Sequence, residues 1–522
     1  MGLYKLKNLF NNIVMDQQYL FEPIPCDKFD LLSKDEVVGL CKDQQDLIKQ
    51  IINRNQKLEI KLFSGEQKSF SLGEQLINIK NKFFGKSSEK SPKKESKGKT
   101  KEDKKKRVRL PSERYKNLDI VEKEVEFDVA PSCPCCSDEM KKSGLIDLLE
   151  YLTFIPRKYY VVREKKHKYR CRNCQESLIT TPAIPRVIPG GAYSDEMIID
   201  VALSKFLDLL PIERYTQIAR REGLTDLPAN SLINTTHKLA DWIEASYRII
   251  KEEVLDSEII HADETPHRML EGDKKSNWYM WGFSTESASY FEVRDTRSGQ
   301  VASDLLVDSK CKYLMSDVFS GYKKAVNDAN EDRKEKIKQL NCNAHARRKF
   351  KESVNNFEIE SGFFIKLYKK IYRLEDPELE TRLTSLEKRR WQKLYMLTMQ
   401  NKALKLKSSY SKHSSIGKAV SYFINNFDNL SRFTKNVKLP LDNNSQERQL
   451  RSPVVGRKTW YGTHSKRGAK TTAIMFSIVQ SCKLNKINPR HYVTDLVRAR
   501  HQGKPPYSPK QYLRMKQRQD VK

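Results

Sequence analysis

Hydrophobic and polar positions divide the 522-residue chain into stretches of different period. From Asp35 to Leu62, Val37, Leu40, Leu47, Ile51 and Leu58 keep a heptad spacing that Gln44 and Arg54 interrupt. That pattern predicts an amphipathic helix, packed on its own chain or paired as a short coiled coil. Apolar positions almost vanish from Lys86 to Leu110, where 12 basic and 4 acidic residues predict a solvated, flexible tether. Asp119 to Ile188 reads as β-rich. Ser194 to Ile250 reads as three helices, with a turn near Gly223 to Leu227 and a further helix starting around Pro228 to Ser231. This is helix-turn-helix spacing, although helical hairpins of the same form also serve as plain core elements.

From Ser257 the period changes to that of strands. EIIHADETP is a short β-rich run, NWYMWGF and SYFEVRD read as a hairpin, and RSGQVASDLLV reads as a helix. KYLMSDVF is the next strand, GYKKAVNDA a helix and KQLNCNA a strand. The order β-β-β-α-β-α-β predicts a mixed sheet with parallel members, because a helix between two strands lets them run the same way. Arg347 to roughly Pro440 is helical, charged and poor in Gly, and helices return from Asp442 to Ala499. The basic, Pro-containing end, HQGKPPYSPKQYLRMKQRQDVK, predicts a disordered tail.

Length and charge then narrow the class. The chain exceeds what one hydrophobic core usually supports, so two to four domains are expected. With 97 Lys plus Arg against 67 Asp plus Glu, the formal charge is +30. Solubility needs far less, and a polyanionic partner, nucleic acid first, is the natural reading. Mean hydropathy is −0.70, and no run of about 18 apolar residues predicts a transmembrane helix. The N-terminal MGLYKLKNLFNNIVMDQQYLF lacks an apolar core followed by a small-residue cleavage site. Secretion is therefore not expected, and a cytoplasmic, nucleoid-associated setting is.

Four of the ten cysteines form two C-x2-C pairs, Cys133/Cys136 and Cys171/Cys174. Two such knuckles can complete a tetrahedral S4 site, so structural Zn2+ is expected, with Cys135 as a spare ligand. A closed S4 site has no open position and serves folding or docking. Two acids, Asp263 and Asp317, end apolar β-runs. If their strands are neighbours, the carboxylates emerge side by side, raise each other's pKa and are relieved by a divalent cation. A third acid, Glu447, falls about one turn into a helix capped by Asp442 or Asn443, although an i,i+4 pair with Arg451 would also explain it. Arg448, Arg451, Arg457, Lys458, Lys466 and Arg467 crowd around it as candidate contacts to a DNA backbone.

HADETPHRM, LMSDVFSGYKKA, CNAHARRKF and LDNNSQERQLRSPVVGRKTWYG resemble the signature stretches of the insertion sequence 66 family of bacterial DDE transposases. KNKFFGKSSEK, the CPCC and YRCRNC knuckles, the helices after GGAYSDE, and IMFSIVQSCKLNKINPRHYVTDL resemble the same family, so the likeness runs over roughly residues 75 to 497. It implies a multidomain α+β protein with a ribonuclease-H-like catalytic core and a helical insertion before the last acid. Asp263, Asp317 and Glu447 fall on the family's acidic triad, which would hold two Mg2+ (or Mn2+) ions. Cys342 and His345 match a C-x-x-H feature, for which either packing or a metal role is open.

The implied activity is cleavage of transposon-end phosphodiesters and joining of the 3′-OH ends to target DNA. The partners implied are double-stranded DNA, further copies of the chain on that DNA, and accessory proteins of the same element. The expected layout is a helical or coiled-coil region (1–84), a basic linker (85–115), a zinc ribbon (116–190) and helix-turn-helix-like helices (191–250). The catalytic core follows in two parts (251–346 and 441–497), around a helical insertion (347–440) and before a tail (498–522). A non-catalytic zinc-ribbon DNA-binding regulator and a structure-specific nuclease on the same fold are the rivals. Within the triad stretches, Glu264 and Asp442 are expected to be bystanders: Glu264 alternates to the other side of its strand, and Asp442 reads as a helix cap.

Overall fold

The computed structural model describes residues 110–125, 130–141, 146, 148–173, 178–270, 277–376 and 383–520. The N-terminal heptad and the basic tether lie outside them. The chain divides into two compact units. Among the described residues, the smaller comprises Arg348–Lys370 and Leu397–Asn425. Its core is aromatic: Phe350 stacks on Phe364 at 4.0 Å between ring centres, and Phe423 meets both edge-on.

The larger unit begins with the Cys-bearing stretch. Lys168–Arg170 (β1) and Leu178–Thr180 (β2) pair antiparallel, and Ser132 bridges Glu139. No other strand forms among the described residues between 115 and 187, so the β-rich expectation for Asp119 to Ile188 is corrected to one short hairpin. The physical reason is visible in its side chains: Leu148, Tyr151, Phe154 and Val161 stay exposed, and strands without a packed face have little to hold them.

Three helices follow: α1 (Asp195–Phe206), α2 (Ile212–Arg221) and α3 (Ala229–Leu255). Ser194 caps α1, its hydroxyl accepting the Met197 N–H. The 27-residue α3 buries Leu239, Ala240, Ile243, Ile250 and Val254 in the main core, with the helical spacing that a long packed face requires.

A five-stranded mixed sheet occupies the centre, in the order β5-β4-β3-β6-β7. Its strands are β3 (Ile259–Arg268), β4 (Asn277–Ser284), β5 (Ser289–Arg294), β6 (Tyr313–Ser316) and β7 (Lys338–Asn341). β3, β4 and β5 form an antiparallel meander, and β6 and β7 run parallel to β3. Helices α4 (Gln300–Val307) and α5 (Ser320–Ala329) supply the crossovers, as the strand and helix order predicts. After β7 come α6 (Asn343–Ser353), α7 (Glu358–Arg373), α8 (Ser385–Ser409), α9 (Ser415–Asn425) and the short α10 (Phe427–Ser431). The chain then returns to the sheet with α11 (Asn444–Trp460) and α12 (Lys466–Leu484).

α12 covers the edge strand. The Ser477 and Ser481 hydroxyls accept the outward N–H groups of Phe291 and Ser289, each at 2.9 Å. These bonds satisfy backbone donors that an open edge would present to another chain.

The expected disordered tail is a correction. α13 (Pro489–His501) and α14 (Pro509–Asp520) are both helical, and Tyr507 and Tyr512 are buried. The Tyr492 hydroxyl donates to the Tyr507 carbonyl at 2.6 Å, and Tyr512 donates to Asp495 at 2.7 Å. Three mutually packed tyrosines give this basic segment a reason to order. Among the described residues, no helix is long and apolar enough to cross a membrane.

Candidate active site

Asp263 lies in the middle of β3, opposite Gly282 on β4. On the other side His261 pairs with Met315 of β6, so the parallel register carries Asp317, just past the end of β6, to the level of Asp263. Each aspartate has one oxygen held by its own backbone. Asp263 Oδ1 accepts the Glu264 N–H and Asp317 Oδ1 accepts the Phe319 N–H, both at 3.0 Å. No hydrogen bond from a described residue reaches the second oxygen of either.

Burial, and then repulsion from Glu264, Asp317 and Glu447, pushes the Asp263 carboxyl up to about 8. Charges separated by 184 residues in sequence therefore act on one another across a partly buried space. Glu264 is held in place by its neighbours. Its side chain is 2% exposed, accepts the Tyr322 hydroxyl at 2.6 Å, and takes Arg297 through Nε at 2.9 Å and Nη2 at 2.7 Å. Arg297 in turn lies 4.4 Å from the centre of the Phe319 ring. This clamp ties β3 to the start of α5, beside Asp317.

Glu447 stands in the first turn of α11, whose cap residue is Asn443. The Asn443 side chain makes no capping bond to the helix and reaches the sheet instead. Its Nδ2 donates to the Ala262 carbonyl at 2.9 Å, which leaves Oδ1 to accept His261 Nδ1–H at 3.0 Å. Burial lowers the His261 pKa, although the bond to Asn443 by itself favours the charged ring. Asp442 folds back on the helix start, with Oδ1 accepting the Asn444 N–H at 3.0 Å. Gln446 is buried against Gly282, where a Cβ would sit 2.2 Å from its Nε2. The strand has no side chain where α11 comes closest.

Glu447 faces His345 rather than Arg451. Its Oε1 lies 3.7 Å from His345 Nδ1, and Cys342 Sγ completes a trio whose ligand atoms all fall within 4.8 Å of one another. Among the described residues this trio, not the three acids, is the group gathered that tightly. Of the basic residues, Arg448, Arg451 and Lys458 are exposed, and their spacing puts them along one face of α11. Arg457 is half-buried and its Nη1 reaches Thr265 Oγ1 at 3.4 Å, while Arg467 pairs with Asp241 at 2.9 Å.

A family model described as the transposase IS66 family matches residues 190–471, which span β3 to β7 and α11. The chain belongs to the IS66 transposase family. Membership makes it a transposase, an enzyme whose substrate is DNA. It is also similar to three proteins of Sinorhizobium fredii that carry only the designation "uncharacterized protein". With y4hP it is 24% identical over 73% of this chain and 72% of the relative. With y4jD it is 24% identical over 70% and 74%, and with y4qI 24% identical over 77% and 77%.

Of the expected Zn2+ ligands, Cys133, Cys136 and Cys171 are described and carry free thiols, and Cys174 lies outside the described residues. The first knuckle is a formed turn, in which Cys133 N–H donates to the Asp138 carbonyl at 2.8 Å and Ser137 has a φ of 61°. The backbone N–H groups of Cys135 and Cys136 hold the Cys133 thiol below its ordinary range, which suits a thiolate ligand. Sequence reasoning missed Gly282, Gln446, the Asn443 bridge and the Arg297–Glu264–Tyr322 clamp. A lone glycine in the bulky strand NWYMWGFS was the one available signal, since it marks a close approach.

Proposed function

We propose that this transposase cuts DNA at the ends of its insertion sequence and joins the freed 3′-OH ends to target DNA, with Asp263, Asp317 and Glu447 as its catalytic acids. The observation that carries this reading is the parallel register of β3 and β6, which brings Asp317 to the level of Asp263, in a place where burial first, and then repulsion from Glu264, Asp317 and Glu447, raises the Asp263 carboxyl to about 8. Such a cluster is relieved by divalent cations. The sheet order, an antiparallel meander followed by two strands parallel to its first member, supports a ribonuclease-H-like core.

The donor set fits Mg2+ or Mn2+: hard carboxylate oxygens, one per aspartate left open by the backbone bonds on the other. Two such ions, when bound, would supply Lewis-acid activation at the attacking and leaving oxygens of a phosphodiester. The chain's own residues do the positioning. The backbone bonds fix the two aspartates, and Asn443 ties the Glu447 helix to the Asp263 strand. Arg448, Arg451 and Lys458 line the exposed face beside Glu447, where they would hold the phosphate backbone. Arg457, steadied by Thr265, lies nearer the sheet.

We place structural Zn2+ on Cys133, Cys136, Cys171 and Cys174, and recognition of the DNA ends in the folded parts around it. The alternative, a regulator that binds the same ends without cutting them, has no need of the crowded acids. A labelled transposon-end duplex tests the difference. The wild type should nick it only with Mg2+ or Mn2+, and the Asp263→Asn variant should bind it without nicking. Cleavage that persists in EDTA or in Asp263→Asn would remove the assignment.

A further inference from the structure

Cys342 and His345 are unused by the proposed chemistry, yet both sit against its third acid. Cys342 ends the β7 connection and directly precedes α6, and His345 lies in the first turn of that helix. The C-x2-H spacing therefore turns both side chains toward one point, and α11 brings Glu447 to the same point from a distance of about a hundred residues in sequence. His345 Nδ1 and Glu447 Oε1 are both buried atoms with no hydrogen-bond partner. At 3.7 Å they are too far apart to bond each other. Two orphaned polar atoms aimed at one another beside a thiol are costly unless something lies between them.

We propose that Cys342, His345 and Glu447 bind a borderline divalent cation of the Zn2+ class. The inference rests on the reading of Glu447 as the third acid and assigns that acid a second ligand role. Ligand atoms around a tetrahedral Zn2+ stand roughly 3.4–3.6 Å apart, close to the separation seen. One sulfur, one imidazole nitrogen and one carboxylate oxygen form a donor set for Zn2+ rather than for Mg2+. The Asn443 N–H donates to Cys342 Sγ at 3.2 Å, a bond that would steady a metal thiolate. Burial pushes the Cys342 thiol up to about 12, against the backbone N–H groups of Asn443 and His345, so the thiolate would form only as the cation binds. Binding would release the thiol proton to solvent and leave the S–M bond in its place. Three protein ligands leave a fourth position open. Glu447 Oε1 on this ion would leave Oε2 for the aspartate pair, so the cation would set the orientation of the third acid.

Metal counting on the full chain tests this apart from catalysis. Protein stripped with a chelator and refilled with Co2+ or Zn2+ should take one equivalent more than Cys342→Ser, and the Co2+ form should lose part of its thiolate charge-transfer absorption in that variant. His345→Gln, at a partly exposed helix position that should tolerate the change, should weaken the same equivalent by roughly 100-fold. Asp263→Asn should keep it. Equal metal content and affinity in the wild type and His345→Gln would overturn the site, as would loss of the ion in Asp263→Asn. Residual cleavage by Asp263→Asn would instead count against the catalytic reading and leave the metal count unaffected.

Discussion

Gly282 lies opposite Asp263 on the neighbouring strand, and a Cβ placed on it would come 2.2 Å from the Gln446 side chain. α11 thus rests on β4 where the strand presents only backbone, and Glu447 is the next residue along that helix. Gln446 fills the space a methyl group on residue 282 would need, and the Phe291 ring closes it from the other side at 2.9 Å. Because Gln446 is buried, Gly282→Ala should displace it and shift the start of α11. A displacement of about 1 Å at a reacting centre costs on the order of 100-fold in rate. We expect that loss in end cleavage, with DNA binding within about twofold of wild type by gel shift; unimpaired cleavage would show that the helix has room to spare.

Asn443 holds the same two elements by hydrogen bonds. Asn443→Ala would leave the Ala262 carbonyl and the His261 Nδ1–H unpaired in a buried place. Each such group costs about 1–3 kcal/mol. Denaturant unfolding should show a loss of about 2–6 kcal/mol for the two groups together, with slower cleavage at saturating DNA. A variant as stable as wild type would mean that water replaces the bridge.

Asp263→Asn, Asp317→Asn and Glu447→Gln should each abolish cleavage and leave DNA affinity nearly unchanged, or slightly higher as repulsion of phosphate falls. Asp442→Asn should retain activity, because its bond to the Asn444 N–H survives in the amide. Glu264→Gln should also cut DNA. It should nevertheless be less stable than wild type by about 1–2 kcal/mol, because Arg297 loses its charged acceptor. Inactive Glu264→Gln together with active Asp263→Asn would move the first acid by one residue.

The pH dependence of stability has a definite sign. Without metal, Asp263 holds its proton up to about 8 in the folded chain, against an ordinary 3.8. Between those values the folded state binds more protons than the unfolded state, so the stability this group allows is present below pH 4 and lost as pH rises through 8. In EDTA, the melting temperature of Asp263→Asn should rise relative to wild type from pH 5 to pH 8, and saturating Mg2+ should close the gap. A pH-independent difference would rule out a strongly raised carboxyl.

Truncation after Pro506 would remove α14 and expose the Tyr492 face. The Ser508 hydroxyl bond to Glu253, at 2.5 Å, and the Tyr512 bond to Asp495 would go with it. Burying an aromatic side chain of this kind contributes about 1.5–3 kcal/mol. Thermal unfolding should shift down by several degrees. A shortened chain that melts with the full-length protein would return the tail to the disordered class.

The sequence by itself determined the order of strands and helices, because local period reports which residues face a core. It also singled out Asp263 and Asp317 at the ends of apolar β-runs and, through the family resemblance, Glu447 about one turn into a helix. The helix start was legible, with Asp442 or Asn443 as its cap, because helix starts have a local signature. The assembly around these residues was not legible. The Asn443 side chain serves the sheet, Gln446 fills the space left by Gly282, and Cys342 and His345 meet Glu447 across about a hundred residues. Each of these contacts depends on how α11 docks against β3 and β4, which no local period encodes. The ordered tail has the same cause: its polar, Pro-containing sequence argues for disorder, and only the tyrosine faces of α13 and α14, brought together in space, decide otherwise.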